Sequence, residues 1–103
     1  PEGDTGVCLI FFVEKPEKAV RFSEALEAEN IDSFVLYRPK NPDGHIYIYW
    51  KSLAKRTGFD ESTCPRTLEL LGRAVHIDVS PQLVKEDTDD VIEAVHKVAK
   101  SIL

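Results

Sequence analysis

The C-terminal stretch from Lys85 to Leu103 places Val91, Ile92, Val95, Val98, Ala99 and Ile102 at steps of one, three and four. That spacing draws one apolar stripe along an α-helix and leaves the remaining surface polar. Glu86, Asp87, Asp89 and Asp90 fall in its first turns, with Lys97 and Lys100 near its end. Both placements favour the helix dipole. Val84 stands where a capping Ser, Thr or Asp is expected, a deficit of about 1 kcal/mol. Such a helix must bury its stripe against another layer, and the upstream residues have to supply it.

They supply strands and further helices. VCLIFFV, Val7 to Val13, is a continuous apolar run that suits a strand buried on both faces or in a central position, with a helix as the alternative that periodicity alone leaves open. Pro16 opens a helix, in which Ala19, Phe22, Ala25 and Leu26 form the apolar stripe and Asn30 gives the stop. Ser33 to Tyr37 reads as a second strand. Arg38 to Gly44, rich in Pro, Asn, Asp and Gly, reads as an exposed loop. His45 to Trp50 alternates and is β-branched and aromatic almost throughout, so a third strand is expected there. Lys51 to Thr63 is polar, with a short helical turn through Leu53. Pro65 opens a helix that Gly72 closes, and VHIDV, Val75 to Val79, gives a fourth strand. The expected order is β-α-β-β-α-β-α. It implies an α+β fold: a small three- to four-stranded, mainly antiparallel sheet with helices packed on one face.

The 103 residues fit one domain, 1–103, with enough chain for a single core. A net charge of −5 with scattered cations excludes the basic face that nucleic acid requires. No apolar run approaches the ~20 residues that span a bilayer. Two cysteines, Cys8 and Cys64, provide no disulfide framework, and a cytoplasmic protein with both reduced is the expectation. The opening PEGDTG and the absence of methionine suggest an excised fragment.

VHIDVSP has the residue types of a hydrolytic triad: His76, Asp78 and Ser80. On one strand, however, alternate side chains stand roughly 6.5–7 Å apart, whereas a relay needs contacts of about 2.6–3.2 Å. The pattern is better explained by Val75, Ile77 and Val79 packing inward on a half-exposed strand. Zinc-protease, paired-cysteine and EF-hand spacings are absent, as are glycine-rich phosphate loops. No catalytic or metal residue is therefore assigned. The turn-and-strand unit holding Arg38, Lys40, His45, Tyr47 and Tyr49 is the best candidate site. Its cations and phenols suit an anionic or hydroxyl-rich ligand, and a plain hairpin with packed aromatics is the alternative.

LGRAVHIDVSPQLVKEDTDDVIEAVHKV, Leu71 to Val98, resembles the C-terminal end of the DegT/DnrJ/StrS-type sugar aminotransferases. Ser80, Pro81, Leu83, Asp87, Val91 and Ile92 carry the likeness. Upstream, VCLIFFVEKPEKAVRFSEALEAENIDSFVLYRP is similar to that family's strand, helix and second strand. Asn30-Ile31 and Tyr37 take its Gly-Ile and Tyr positions. CPRTLELLGRAVHIDVSP is most similar to members that aminate an octulosonate-type keto-sugar.

The resemblance implies fold-type I pyridoxal-phosphate (PLP) chemistry. An amino group moves from glutamate or glutamine to a keto-sugar, with the cofactor as electron sink. The cofactor lysine, the aspartate facing the pyridine nitrogen and the phosphate loop belong to a large N-terminal domain that these residues lack. The chain then corresponds to the small C-terminal domain, inactive and cofactor-free alone, and helping to line the sugar pocket. His45 matches a substrate-side histidine of the family, with Arg38 and Tyr37 as secondary candidates. The implied partners are the large domain, the sugar and a further copy in a homo-oligomer. The competing expectation is a stand-alone or engineered α+β binding module.

Overall fold

The computed structural model describes residues 6–38 and 43–103. The elements run β1 (Cys8–Phe12), α1 (Pro16–Ala28), β2 (Ser33–Phe34), a 3-10 turn (Tyr47–Tyr49), α2 (Lys51–Thr57), α3 (Pro65–Arg73), β3 (Ala74–Asp78) and α4 (Lys85–Ile102). The strands form one antiparallel sheet in the order β1-β3-β2. Helix α1 lies on the sheet, and α3 and α4 lie against α1. The fold is α+β with a three-stranded antiparallel sheet, as the patterning implies.

Cys8 pairs with Asp78, Ile10 with His76 and Phe12 with Ala74, while Ser33 and Phe34 pair with Ile77 and His76. Strand alternation then puts Leu9, Phe11, Ser33, Val75 and Ile77 on the helix side. The core behind them holds Val13, Ala19, Phe22, Leu26, Val35, Val75, Ile77, Ala94 and Val98. The central position belongs to β3, whose Ala74 to Ile77 are all buried, rather than to β1. Strand β1 is an edge, and its unbroken apolar run has another origin. One side meets the helices, while the other carries half-exposed Ile10 and Phe12.

Pro16 occupies the first turn of α1. Its buried stripe is Ala19, Phe22, Ser23 and Leu26, so Ser23 takes the place expected of Ala25. A buried hydroxyl needs partners, and Ser33 of β2 provides one. The Ser33 hydroxyl donates to the Ser23 carbonyl at 3.1 Å, which leaves Ser23 to donate to Ser33 Oγ at 2.8 Å. Asn30, at φ 64°, ends the helix. The N–H groups of Asn30 and Ile31 return to the carbonyls of Glu27 and Leu26, both at 2.9 Å. That is the paired closure of a left-handed helix stop. At α4, the carboxylate of Asp87 accepts the Val84 N–H at 3.0 Å, so the first turn is tied despite the apolar residue at its cap.

His45 to Trp50 is not a strand. Asp43 accepts the His45 N–H on its carboxylate at 2.9 Å and the Ile46 N–H on its carbonyl at 3.0 Å. The Trp50 indole N–H reaches back to the Gly44 carbonyl at 2.6 Å. These short-range bonds coil the segment, and β-propensity yields to them.

Gly72 does not close α3, which continues to Arg73. It is buried, and a Cβ there would sit 3.6 Å from Tyr37 and 3.7 Å from Pro16, ordinary contact distances. Gly72→Ala is expected to stabilise the fold by about 0.5–1 kcal/mol, because glycine in a helix costs conformational entropy that alanine does not. Urea denaturation checks this; a loss of stability would show that Tyr37 and Pro16 cannot accommodate the methyl group.

Candidate functional site

The coiled excursion between β2 and α3 gathers the phenols. The Tyr47 hydroxyl donates to the Asp60 carbonyl at 2.9 Å and accepts the Cys64 N–H at 3.0 Å. Its ring meets Phe59 edge-on at 5.6 Å. Tyr47 is thus a brace between the excursion and the start of α3. Asp60 accepts from both the N–H and the hydroxyl of Ser62, which hold its carboxyl below the usual range. A shallow cleft of about 520 Å³ opens here, lined by Ile48, Tyr49, Phe59, Asp60, Glu61 and Ser62. Tyr37 adjoins the cluster. Burial, then the charge of Glu61, then Tyr49 and Tyr47 push its phenol above the ordinary value.

The three residues singled out from the sequence go different ways. Tyr37 joins the phenol cluster. Arg38 turns to α1 and pairs with Glu24 at 3.2 Å. His45 is largely exposed and folds onto Asp43, Nδ1 to Oδ1, at 2.6 Å; the His45 N–H and ring hold the Asp43 carboxyl below its usual range. Lys40 lies outside the described residues. Phe59 and Glu61 sit in a stretch that reads only as polar. The signal for it was Asp60-x-Ser62-Thr63 before Pro65, a side-chain-bonded turn leading into a helix.

On β3, the triad look-alikes separate. His76 is buried and stacks on Phe34 at 4.8 Å, with Nδ1 3.8 Å from Cys8 Sγ. Asp78 and Ser80 are exposed, and Ser80 Oγ accepts the Gln82 N–H in the turn to α4. The half-exposed strand is corrected here: β3 is central, so its alternate side chains are covered on both faces. Burial, then the charge of Asp78, raise the Cys8 thiol above its ordinary value, so this thiol is not activated by its imidazole neighbour.

Burial also lowers the pKa of His76, against a smaller upward pull from Asp78. A histidine with a lowered folded pKa binds its proton first in the unfolded chain. Its stability contribution is therefore intact above the unfolded value of 6.5 and falls as pH drops until the folded value is passed. His76→Gln is expected to flatten the decline of urea stability between about pH 7 and 5. An unchanged slope would assign the decline to other groups.

No described residue set fits a pyridoxal cofactor. Lys15, Lys51, Lys55, Lys85, Lys97 and Lys100 are exposed, and half-buried Lys18 is tied to Glu14 at 2.9 Å. None is in the apolar pocket that would free an amine for cofactor attachment. Among the described residues, no group of three or more His, Cys, Asp or Glu side chains could hold a metal ion. None of the helices there is long and apolar enough to cross a membrane.

No family model and no curated protein matches the chain. Two solved structures do, both of the Streptococcus pneumoniae protein described as "Putative sugar aminotransferase Spr1654". Its PMP form has a TM-score of 0.68 at 23% identity over 93% of this chain. The apo form has a TM-score of 0.69 at 22% identity over 92%. The chain spans 23% and 22% of the length of those two chains. The sheet with α1, α3 and α4 thus has the fold of one part, about a quarter, of that sugar aminotransferase chain.

Proposed function

We propose that the chain is the small domain of a PLP-dependent sugar aminotransferase, one that moves an amino group from glutamate or glutamine to a keto-sugar. The observation that carries this reading is the overlay of 93% of the chain on a quarter of such a protein. The C-terminal wording Ser80-Pro81-x-Leu83 and Asp87 supports it independently. When bound, the cofactor supplies the electron sink. The remainder of the enzyme would hold it, since the lysines described here do not fit that role.

The part played by this chain is on the sugar side. Tyr49 and Glu61, lining the cleft with Phe59, offer hydroxyl and carboxylate partners beside an aromatic ring, a set suited to a hydroxyl-rich ligand, with Tyr37 as a further candidate. Two carboxylates at the cleft, and Arg38 engaged with Glu24, favour sugar hydroxyls over an anionic group. His45 stands at the mouth of the same excursion as a further contact.

The test uses the polypeptide that carries these residues, assayed for amino transfer to keto-sugars. Tyr49→Phe and Glu61→Gln are expected to raise KM for the sugar about tenfold each, the worth of one hydrogen bond to a charged or polar partner, and to leave KM for glutamate unchanged. Absence of any amino transfer, combined with ligand binding by the 103 residues alone, would favour the independent binding module instead.

A further inference from the structure

The cleft between Tyr49 and Glu61 has two walls. One is the coiled segment with Ile48 and Tyr49, pegged by the buried Ile46. The other is the turn from Phe59 to Cys64, in which Asp60 through Cys64 are exposed and only Phe59 is half-buried. Each wall is bonded within itself. On the first, the Tyr49 and Trp50 N–H groups return to the carbonyls of Ile46 and Tyr47, both at 3.1 Å. On the second, the Asp60 N–H donates to Thr63 Oγ1 at 3.0 Å and the Thr63 N–H to the Asp60 carbonyl at 3.1 Å. Burial gives little hold on so exposed a turn, so the spacing between the walls depends on polar ties. Among the described residues, both hydrogen bonds that cross from one wall to the other pass through the Tyr47 hydroxyl, to the Asp60 carbonyl and from the Cys64 N–H. The second also fixes the cleft to the core, since Cys64 precedes α3 and α3 packs on α1.

We infer that Tyr47 is a positioning residue of the cleft: its hydroxyl, which lies outside the lining, sets the distance between Tyr49 and Glu61 and with it the size of ring the cleft accepts. The inference rests on the sugar-side reading above and names what keeps that site in shape. The Tyr47 ring rests edge-on against Phe59, so the hydroxyl is delivered by a side chain already ordered by packing. Trp50, the other hydrogen-bonding aromatic of the coil, turns back to Gly44 within its own wall and ties nothing across. A ligand that meets Tyr49 on one wall and Glu61 on the other needs both at their proper places at once. A misplacement of about 1 Å costs such a site heavily. The walls carry no reacting group, so the loss falls on KM for the sugar rather than on kcat.

Tyr47→Phe tests this, since it removes the hydroxyl and keeps the ring on Phe59. It is made in the polypeptide that carries these residues, alongside Ser33→Ala, which breaks the buried hydroxyl pair between α1 and β2. Hydrogen–deuterium exchange of a peptide covering 59–64 is expected to quicken about tenfold in Tyr47→Phe, the worth of one hydrogen bond, while α1 and β3 keep their protection. KM for the keto-sugar should rise about tenfold, with kcat and KM for glutamate unchanged. Ser33→Ala should lower urea stability and leave the sugar KM where it was. Unchanged exchange at 59–64 would overturn the inference. So would a sugar KM that rises as much in Ser33→Ala, because a general loss of stability would then be the cause. Faster exchange in a protein that transfers no amino group would leave the positioning role of Tyr47 standing and sink the functional reading. Amino transfer by the parent, with the sugar KM untouched in Tyr47→Phe, would do the reverse.

Discussion

Phe22→Ala should reduce unfolding stability by about 3–5 kcal/mol, the usual loss for a buried phenylalanine. Phe22 is 1% exposed and sits where α1 meets the sheet, with the Phe11 ring edge-on at 5.1 Å. Small domains are stable by only about 5–15 kcal/mol in total, so the variant would be marginal or unfolded at room temperature. In a thermal melt the same loss is a drop of roughly 12–40 °C, taking about 4–8 °C per kcal/mol for a domain near this size. Phe12→Ala is the control. It removes the same atoms from a residue that is 57% exposed, and the expected change is a fraction of that at Phe22. Equal losses would mean that Phe12 is packed in solution.

Val98→Asp should be nearly as damaging, and its signature should depend on pH. Val98 is 4% exposed on α4, the helix that leans on α1. The substitution forfeits about 1.5–3 kcal/mol of apolar burial and adds an unpaired polar group worth about 1–3 kcal/mol. Burial raises the pKa of the new carboxyl in the folded state. As pH climbs past the unfolded value of about 3.9, the unfolded chain ionises first and the penalty grows. The deficit measured in urea should therefore be larger at pH 7 than at pH 4. Helix α4 should also lose helical signal, since an isolated helix of this length is marginal in water. A deficit independent of pH would place residue 98 in contact with solvent.

How much of this was legible in the sequence depends on the range of the forces involved. The helices α1 and α3 announce themselves through prolines at their starts, and all of α1, α3 and α4 through apolar residues at helical spacing, both local features. Their sides were harder. Ser23 is missing from the expected stripe, because its partner Ser33 lies across a turn and on a strand. The alternating run His45 to Trp50 was misleading for the opposite reason. Its side chains favour a strand, but the Asp43 carboxylate and carbonyl and the Trp50 indole tie the segment into short-range turns instead. Strand order was also out of reach. The runs VCLIFFV and VHIDV are both apolar enough for the middle of a sheet, and only the tertiary pairing gives that place to β3. Within the candidate site, Glu61 and Phe59 join Tyr49 at the cleft through a fold-back that no periodicity marks.

The position of β3 has a consequence for how the molecule is made. Cys8 finds its partner at Asp78 and Ser33 finds its own at Ile77; β1 and β2 share no bonds with each other. During synthesis both early strands must wait, unpaired and apolar, until the ribosome has delivered the strand that lies between them. Closing so long a loop before any sheet contact forms slows folding and prolongs exposure of the CLIFF segment. A nascent chain stalled before residue 74 would lack the sheet, and its short helices α1 to α3 would be marginal without it.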